Sequence, residues 1–104
     1  MICSQANQEH EESKRQYAHV FHKQGVICVA REFFDLPETH QLGILLHEAG
    51  HIWAGERAGE DAANRAAKRH SGVTVWYKDG PHGERVEWIP PEKKAEVRAA
   101  LGLN

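Results

Sequence analysis

From Leu42 to Trp53 the apolar residues recur at intervals of three and four. Leu42, Leu45, Leu46, Ala49, Ile52 and Trp53 fall on one stripe, the pattern of a helix with one buried face. The helix start is marked by Asp35-Leu36-Pro37-Glu38: Asp35 is placed to cap, Pro37 suits the first turn, and Glu38 follows the cap by three residues as in a capping box. The pattern runs to about Ala54. His40, Ile44, His47 and His51 form a second stripe beside the apolar one, so the imidazoles flank the core. Gly43 and Gly50 interrupt the interior. Each costs about 1 kcal/mol relative to alanine in a helix, so the pair predicts that another element packs very closely there.

Other segments change period. Residues 5–23 are polar and charged with Tyr17, Val20 and Phe21 as an apolar edge, which predicts an amphipathic helix ending before Gly25. Val26-Ile27-Cys28-Val29-Ala30 is a β-branched run and a candidate strand, which Phe33 and Phe34 continue or terminate. Beyond Gly55–Gly59, a helix from Glu60 to about His70 carries Ala62, Ala63, Ala66 and Ala67. Its acidic start and basic end complement the helix dipole, and Ser71-Gly72 stops it. Val73 to Tyr77 and Glu84 to Ile89, joined by Lys78-Asp79-Gly80-Pro81-His82-Gly83, read as a β-hairpin. Pro90-Pro91-Glu92 opens a last helix that ends near Leu101-Gly102. The predicted order α-β-α-α-β-β-α is an α+β domain with a small sheet, and the 104 residues make one domain, 1–104.

Composition narrows the class. Apolar content of 40% with 27% charged residues is that of a globular chain. A formal charge of −2 supplies no basic excess for nucleic acid, and no apolar stretch is long enough to span a bilayer. The first seven residues turn polar at once, with no signal-peptide core. Cys3 and Cys28 lack the spacing of a metal motif, and two scattered cysteines predict a reduced, cytoplasmic protein.

The chemistry lies in the second stripe. His47-Glu48-Ala49-Gly50-His51 is H-E-x-x-H; on a helix its imidazoles share a face and can reach one metal ion, with the intervening glutamate beside any water there. With 8 histidines in the chain, the pattern arises by chance roughly 7% of the time, so its surroundings must carry the assignment. Catalytic zinc takes three protein ligands and keeps one position open. Glu60, Asp61 and Glu56 are the nearby carboxylates; Glu60 is favoured because the small residues of its helix let it approach the glycine face. Asn64, one turn on, is placed to hydrogen-bond Glu60. A buried stripe of two histidines and a glutamate without a partner costs a few kcal/mol per group, and a metal removes that cost.

Glu60-Asp61-Ala62-Ala63-Asn64-Arg65-Ala66-Ala67 after H-E-x-x-H resembles the E-x-x-A-N-x-x-A helix of ImmA/IrrE-type metallopeptidases, over about residues 26–70. The resemblance implies a zincin fold, one zinc ion held by His47, His51 and Glu60, and Glu48 as catalytic base. Only eight residues separate His51 from Glu60, a shorter connection than in that family, which keeps Asp61 and Glu56 as alternatives. The metzincin pattern fits badly, since Ala54 and Arg57 occupy its glycine and histidine positions.

The expected activity is zinc-dependent hydrolysis of a protein or peptide substrate, with Val26–Ala30 as the strand that aligns it. The rival is a zinc-stabilised or degenerate zincin fold that binds a protein partner, which a fourth ligand such as His40 or Asp61 would favour. His70, His82 and Tyr77 are weaker candidates for oxyanion donors, and the three tryptophans are expected in the core and on the hairpin.

Overall fold

The computed structural model describes residues 2–4, 17–21, 25–81 and 83–103, of which only the backbone for residues 2–4. Helix α1, Glu38–Ala54, is the axis of the molecule. Helix α2, Glu60–Ser71, and helix α3, Lys94–Leu101, pack against it. Strands β1 (Ile2–Ser4), β2 (Ala18–Phe21) and β3 (Val26–Val29) form one sheet in the order β1-β3-β2, and β4 (Trp76–Asp79) and β5 (Arg85–Trp88) form the hairpin. The domain is a small α+β fold.

Most of the predicted N-terminal helix lies outside the described residues, but Ala18–Phe21 is a strand. It pairs antiparallel with β3, Ala18 opposite Val29 and Phe21 opposite Val26. Tyr17, Val20 and Phe21 suit helical spacing, but pairing with β3 imposes a period of two. β3 is flanked on its other side by β1, in parallel. It is therefore the central strand, and its buried Ile27, Cys28 and Val29 suit that place. Among the described residues the edge strand beside α1 is β2, so β3 is not the substrate-aligning edge expected from sequence. Cys28 is disulfide-bonded, and its register partner is Cys3. That differs from the reduced thiol expected from sequence.

Phe33 and Phe34 do not extend β3. They lie in a 3-10 turn, Arg31–Asp35, which buries Phe33 and leaves Phe34 exposed. Asp35 is consumed in that turn and forms no cap; α1 begins after Pro37 with no side-chain cap. Gln41 Nε2 instead ties back to the Leu36 carbonyl at 2.8 Å. The last helix is likewise preceded by a 3-10 turn, Pro91–Lys93.

α1 buries two sides. Ile44, Leu45 and Ala49 meet Ala18, Ile27, Val29, Phe33, Leu36 and Val86. Leu42 and Leu46 meet Ala67, Val73, Val75, Ile89 and Val97. Burial of a Leu or Ile side chain contributes about 1.5–3 kcal/mol, so this double-sided packing sets the position of the third, polar face. The tryptophans divide between core and hairpin as expected: Trp53 packs against both core clusters and stacks on His70 with ring centroids 4.3 Å apart, while Trp76 and Trp88 lie on the hairpin strands, Trp88 with Lys78 Nζ 3.6 Å over its ring. No helix among the described residues is long and apolar enough to cross a membrane.

Candidate metal centre

The polar face of α1 becomes a site because two neighbours approach it at its glycines. A Cβ at Gly50 would overlap the Ala63 carbonyl oxygen and lie 3.2 Å from Ala67 Cβ. Only glycine lets α2 come this near, and the contact falls one residue before His51 and one residue before Asn64. A Cβ at Gly43 would lie 2.6 Å from the Trp88 backbone nitrogen, which seats β5 one turn before His47. The two interior glycines thus mark close approaches, as their cost implied.

The geometry that results is compact. His47 Nε2 is 2.7 Å from Glu60 Oε2 and His51 Nε2 is 3.3 Å from Glu60 Oε1. One donor atom from each of His47, His51 and Glu60 lies within 4.8 Å of the other two. The imidazoles stand nearly perpendicular, 88° between planes with centroids 4.8 Å apart. His47 is buried at 3% exposure, whereas Glu60 reaches in from the surface with 68% of its side chain exposed. Tetrahedral ligands with bonds of about 2.0–2.2 Å sit about 3.3–3.5 Å apart, close to the His51–Glu60 spacing.

The proton positions decide what the triad can hold. His47 Nδ1 is 2.8 Å from Asn64 Oδ1; a carbonyl oxygen only accepts, so Nδ1–H is the donor. With Nδ1 donating, Nε2 and the Glu60 oxygen need a cation to share: a proton on Nε2, for which 2.7 Å is hydrogen-bond distance, or a metal ion bound by both. The donor set of two imidazoles and a carboxylate suits a divalent transition metal. Asn64 was expected to bond Glu60; it orients His47 instead, the usual task of an outer-shell partner.

Sequence-predicted residues separate cleanly. His47, His51 and Glu60 converge, and Glu48 faces the same cavity. Asp61 and Glu56 are exposed and stand outside the cluster, and His40 is not among its donors. His70 is engaged with Trp53, Tyr77 is on the outer strand of the hairpin, and His82 lies outside the described residues. Burial pushes the Glu48 carboxyl up to about 7, with His47 opposing and Glu87 and Glu60 adding to the rise.

A cavity of about 340 Å³ opens over the triad. Its floor is α1 with Ile44, His47, Glu48 and His51; one wall is β2 with Ala18, His19 and Val20, and the other is β5 with Arg85 and Glu87. Glu87 Oε1 lies 4.0 Å from His47 Nε2, with 23% of its side chain exposed. Tyr17, at the start of β2, donates its hydroxyl proton to Glu84 Oε1, just before β5; burial and Glu84 push the phenol up to about 12, which keeps the donor protonated. Sequence reasoning missed Tyr17, Arg85 and Glu87 as wall residues. Their segments carry only strand-like alternation, which says nothing about what stands opposite. No protein-family model, curated protein or solved structure matches this chain.

Proposed function

We propose that this protein is a zinc-dependent metallopeptidase of minimal zincin type, resembling the ImmA/IrrE proteins in its two-helix site. The observation that carries the reading is the convergence of one donor atom each from His47, His51 and Glu60 within 4.8 Å, with His47 Nδ1 held on Asn64 Oδ1. His47, His51 and Glu60 would hold the zinc. When bound, zinc lowers the pKa of water towards 7 and polarises a substrate carbonyl.

The chain's own groups do the rest. Glu48 lies beside the ligands with a carboxyl raised towards neutrality, which suits a group that takes a proton from the attacking water and returns it to the leaving nitrogen. Among the described residues β2 is the edge strand that lines the cavity, and an extended peptide would align along it by main-chain hydrogen bonds. Among the described residues three protein donors converge, and a three-donor set with one position left for water and substrate is the pattern of a catalytic rather than a structural zinc site.

The test is metal analysis of untagged protein together with a peptide-cleavage assay on wild type and Glu48→Gln. Stoichiometric zinc in both, with cleavage in wild type only, is the expected result. Zinc binding without cleavage in either protein favours the partner-binding alternative, and no metal in either rejects the centre.

A further inference from the structure

The walls of the cavity are joined at one end. Tyr17 precedes β2, Glu84 precedes β5, and the hydrogen bond between them spans the cleft. β5 then runs from this closure towards the triad. Arg85 comes first, and Glu87, beside His47, comes two residues later. Strand rise places them about 6.6 Å apart on one face. Among the described residues the cleft is therefore acidic at the triad and carries one guanidinium, next to the closed end.

Arg85 is also uncommitted. Among the described residues no carboxylate lies within ion-pair distance of it, and its Cζ rests 5.7 Å from the centroid of the Tyr77 ring. A guanidinium on an aromatic face is held in position while its planar donor edge stays free, and that edge matches a carboxylate bidentately. A polypeptide lying over the triad and heading for Arg85 meets the Tyr17–Glu84 bond. A chain that ends there does not.

We propose that the cleft takes the free C-terminal end of a peptide, with Arg85 holding the terminal carboxylate, so that the protein removes residues from the C-terminus. This rests on the metallopeptidase reading above and names its substrate class. In the step itself, water adds its oxygen to the carbonyl carbon of the last peptide bond. The C–N bond breaks, the nitrogen gains a proton by way of Glu48, and one free amino acid leaves with a peptide shortened by one residue.

The experiment uses zinc-loaded full-length protein and two peptides of one sequence, one ending in a free carboxylate and one in an amide, with products read by mass spectrometry. Wild type is expected to favour the free acid by at least tenfold in kcat/KM and to release single C-terminal residues. Arg85→Ala should bring that ratio close to one, chiefly through KM, and Arg85→Lys should restore part of it. A second readout needs no turnover: calorimetric binding of both peptides to Glu48→Gln protein, where adding Arg85→Ala should weaken the free acid about tenfold at unchanged zinc content. Equal cleavage of acid and amide by wild type, internal cuts, or a ratio unmoved by Arg85→Ala would overturn the carboxylate anchor while leaving the peptidase reading intact. Cleavage of neither peptide by zinc-loaded wild type would overturn both.

Discussion

The helix pair and the two strand walls reach the same cavity by different physics. In α1 and α2 the donors are set by local spacing: His47 and His51 are one turn apart, as are Glu60 and Asn64, and Gly50 lets the two helices close on each other. The walls are set by partners far along the chain. β2 takes its form from β3, and β5 is pinned by the Gly43 contact and by Tyr17, 67 positions from Glu84. The helix pair brings three donor atoms within 4.8 Å of one another, a grouping that could hold a metal ion. The walls are built to leave a gap with a charge pattern. Disturbing the pair should therefore remove metal and activity together, and disturbing the walls should change substrate handling with the metal retained.

The sharpest break of that contrast is at Glu48 and His47. Glu48→Gln should lower kcat by about 10²–10⁴-fold with zinc stoichiometry unchanged, whereas His47→Ala should lose the metal itself. Inductively coupled plasma analysis beside a cleavage assay distinguishes them, and a zinc-free Glu48→Gln protein would contradict the assignment of Glu48 as base.

The glycines offer a matched pair. Gly50→Ala drives a methyl group into the Ala63 backbone and should destabilise the fold by about 1–3 kcal/mol while weakening zinc. Gly43→Ala strikes the Trp88 backbone instead and should show a similar loss in thermal melts with zinc affinity nearly intact. Equal loss of zinc in both variants would mean that the helix pair and the wall are one cooperative unit.

Asn64→Ala tests the outer shell. It should weaken zinc by about 10–100-fold and leave the melting curve of the metal-free protein close to wild type. Competition with a chromophoric chelator reads the affinity directly.

The smallest effect lies at His40, where burial and then Lys78 hold the imidazole pKa below its usual value, against opposing contributions from Glu87. A depressed folded pKa means that the unfolded chain takes up the proton first. Stability is therefore full above pH about 6.5 and falls as pH drops through the folded value. His40→Gln should flatten the acid limb of a stability–pH curve, measured by urea midpoints in metal-free protein; an unchanged slope would remove His40 from the account.

Legibility followed the range of the interaction. The α1 span, the α2 span and the existence of the hairpin were readable because apolar spacing, turn residues and interior glycines are local signals, though the first hairpin strand is Trp76–Asp79 rather than Val73–Tyr77, because pairing with β5 carries it through Lys78 and Asp79. Glu60 could be favoured over Asp61 and Glu56 because small residues on its helix announced a close neighbour. The N-terminal segment was misread because Tyr17, Val20 and Phe21 suit a helix face and a strand edge alike, and β3 decided between them. Asp35 looked like a cap because no sequence rule shows that a 3-10 turn will claim it first. Asn64 was placed near the site but given the wrong partner, since reach from one helix turn does not say which neighbour lies at hydrogen-bond distance.

The sequence by itself determined that two imidazoles and a glutamate share one face of an apolar helix, and that a second helix with a leading carboxylate follows within a short loop. Those are consequences of a 3.6-residue period, which needs no knowledge of what lies opposite. Only the tertiary structure decided that Glu60 closes the triad, that Asn64 fixes the His47 proton, and that β2 with β5, rather than β3, wall the cavity. Each of these depends on how near two distant backbones come, and the approach is set by the collective packing of Gly43, Gly50 and the core around α1 rather than by any pattern within one segment.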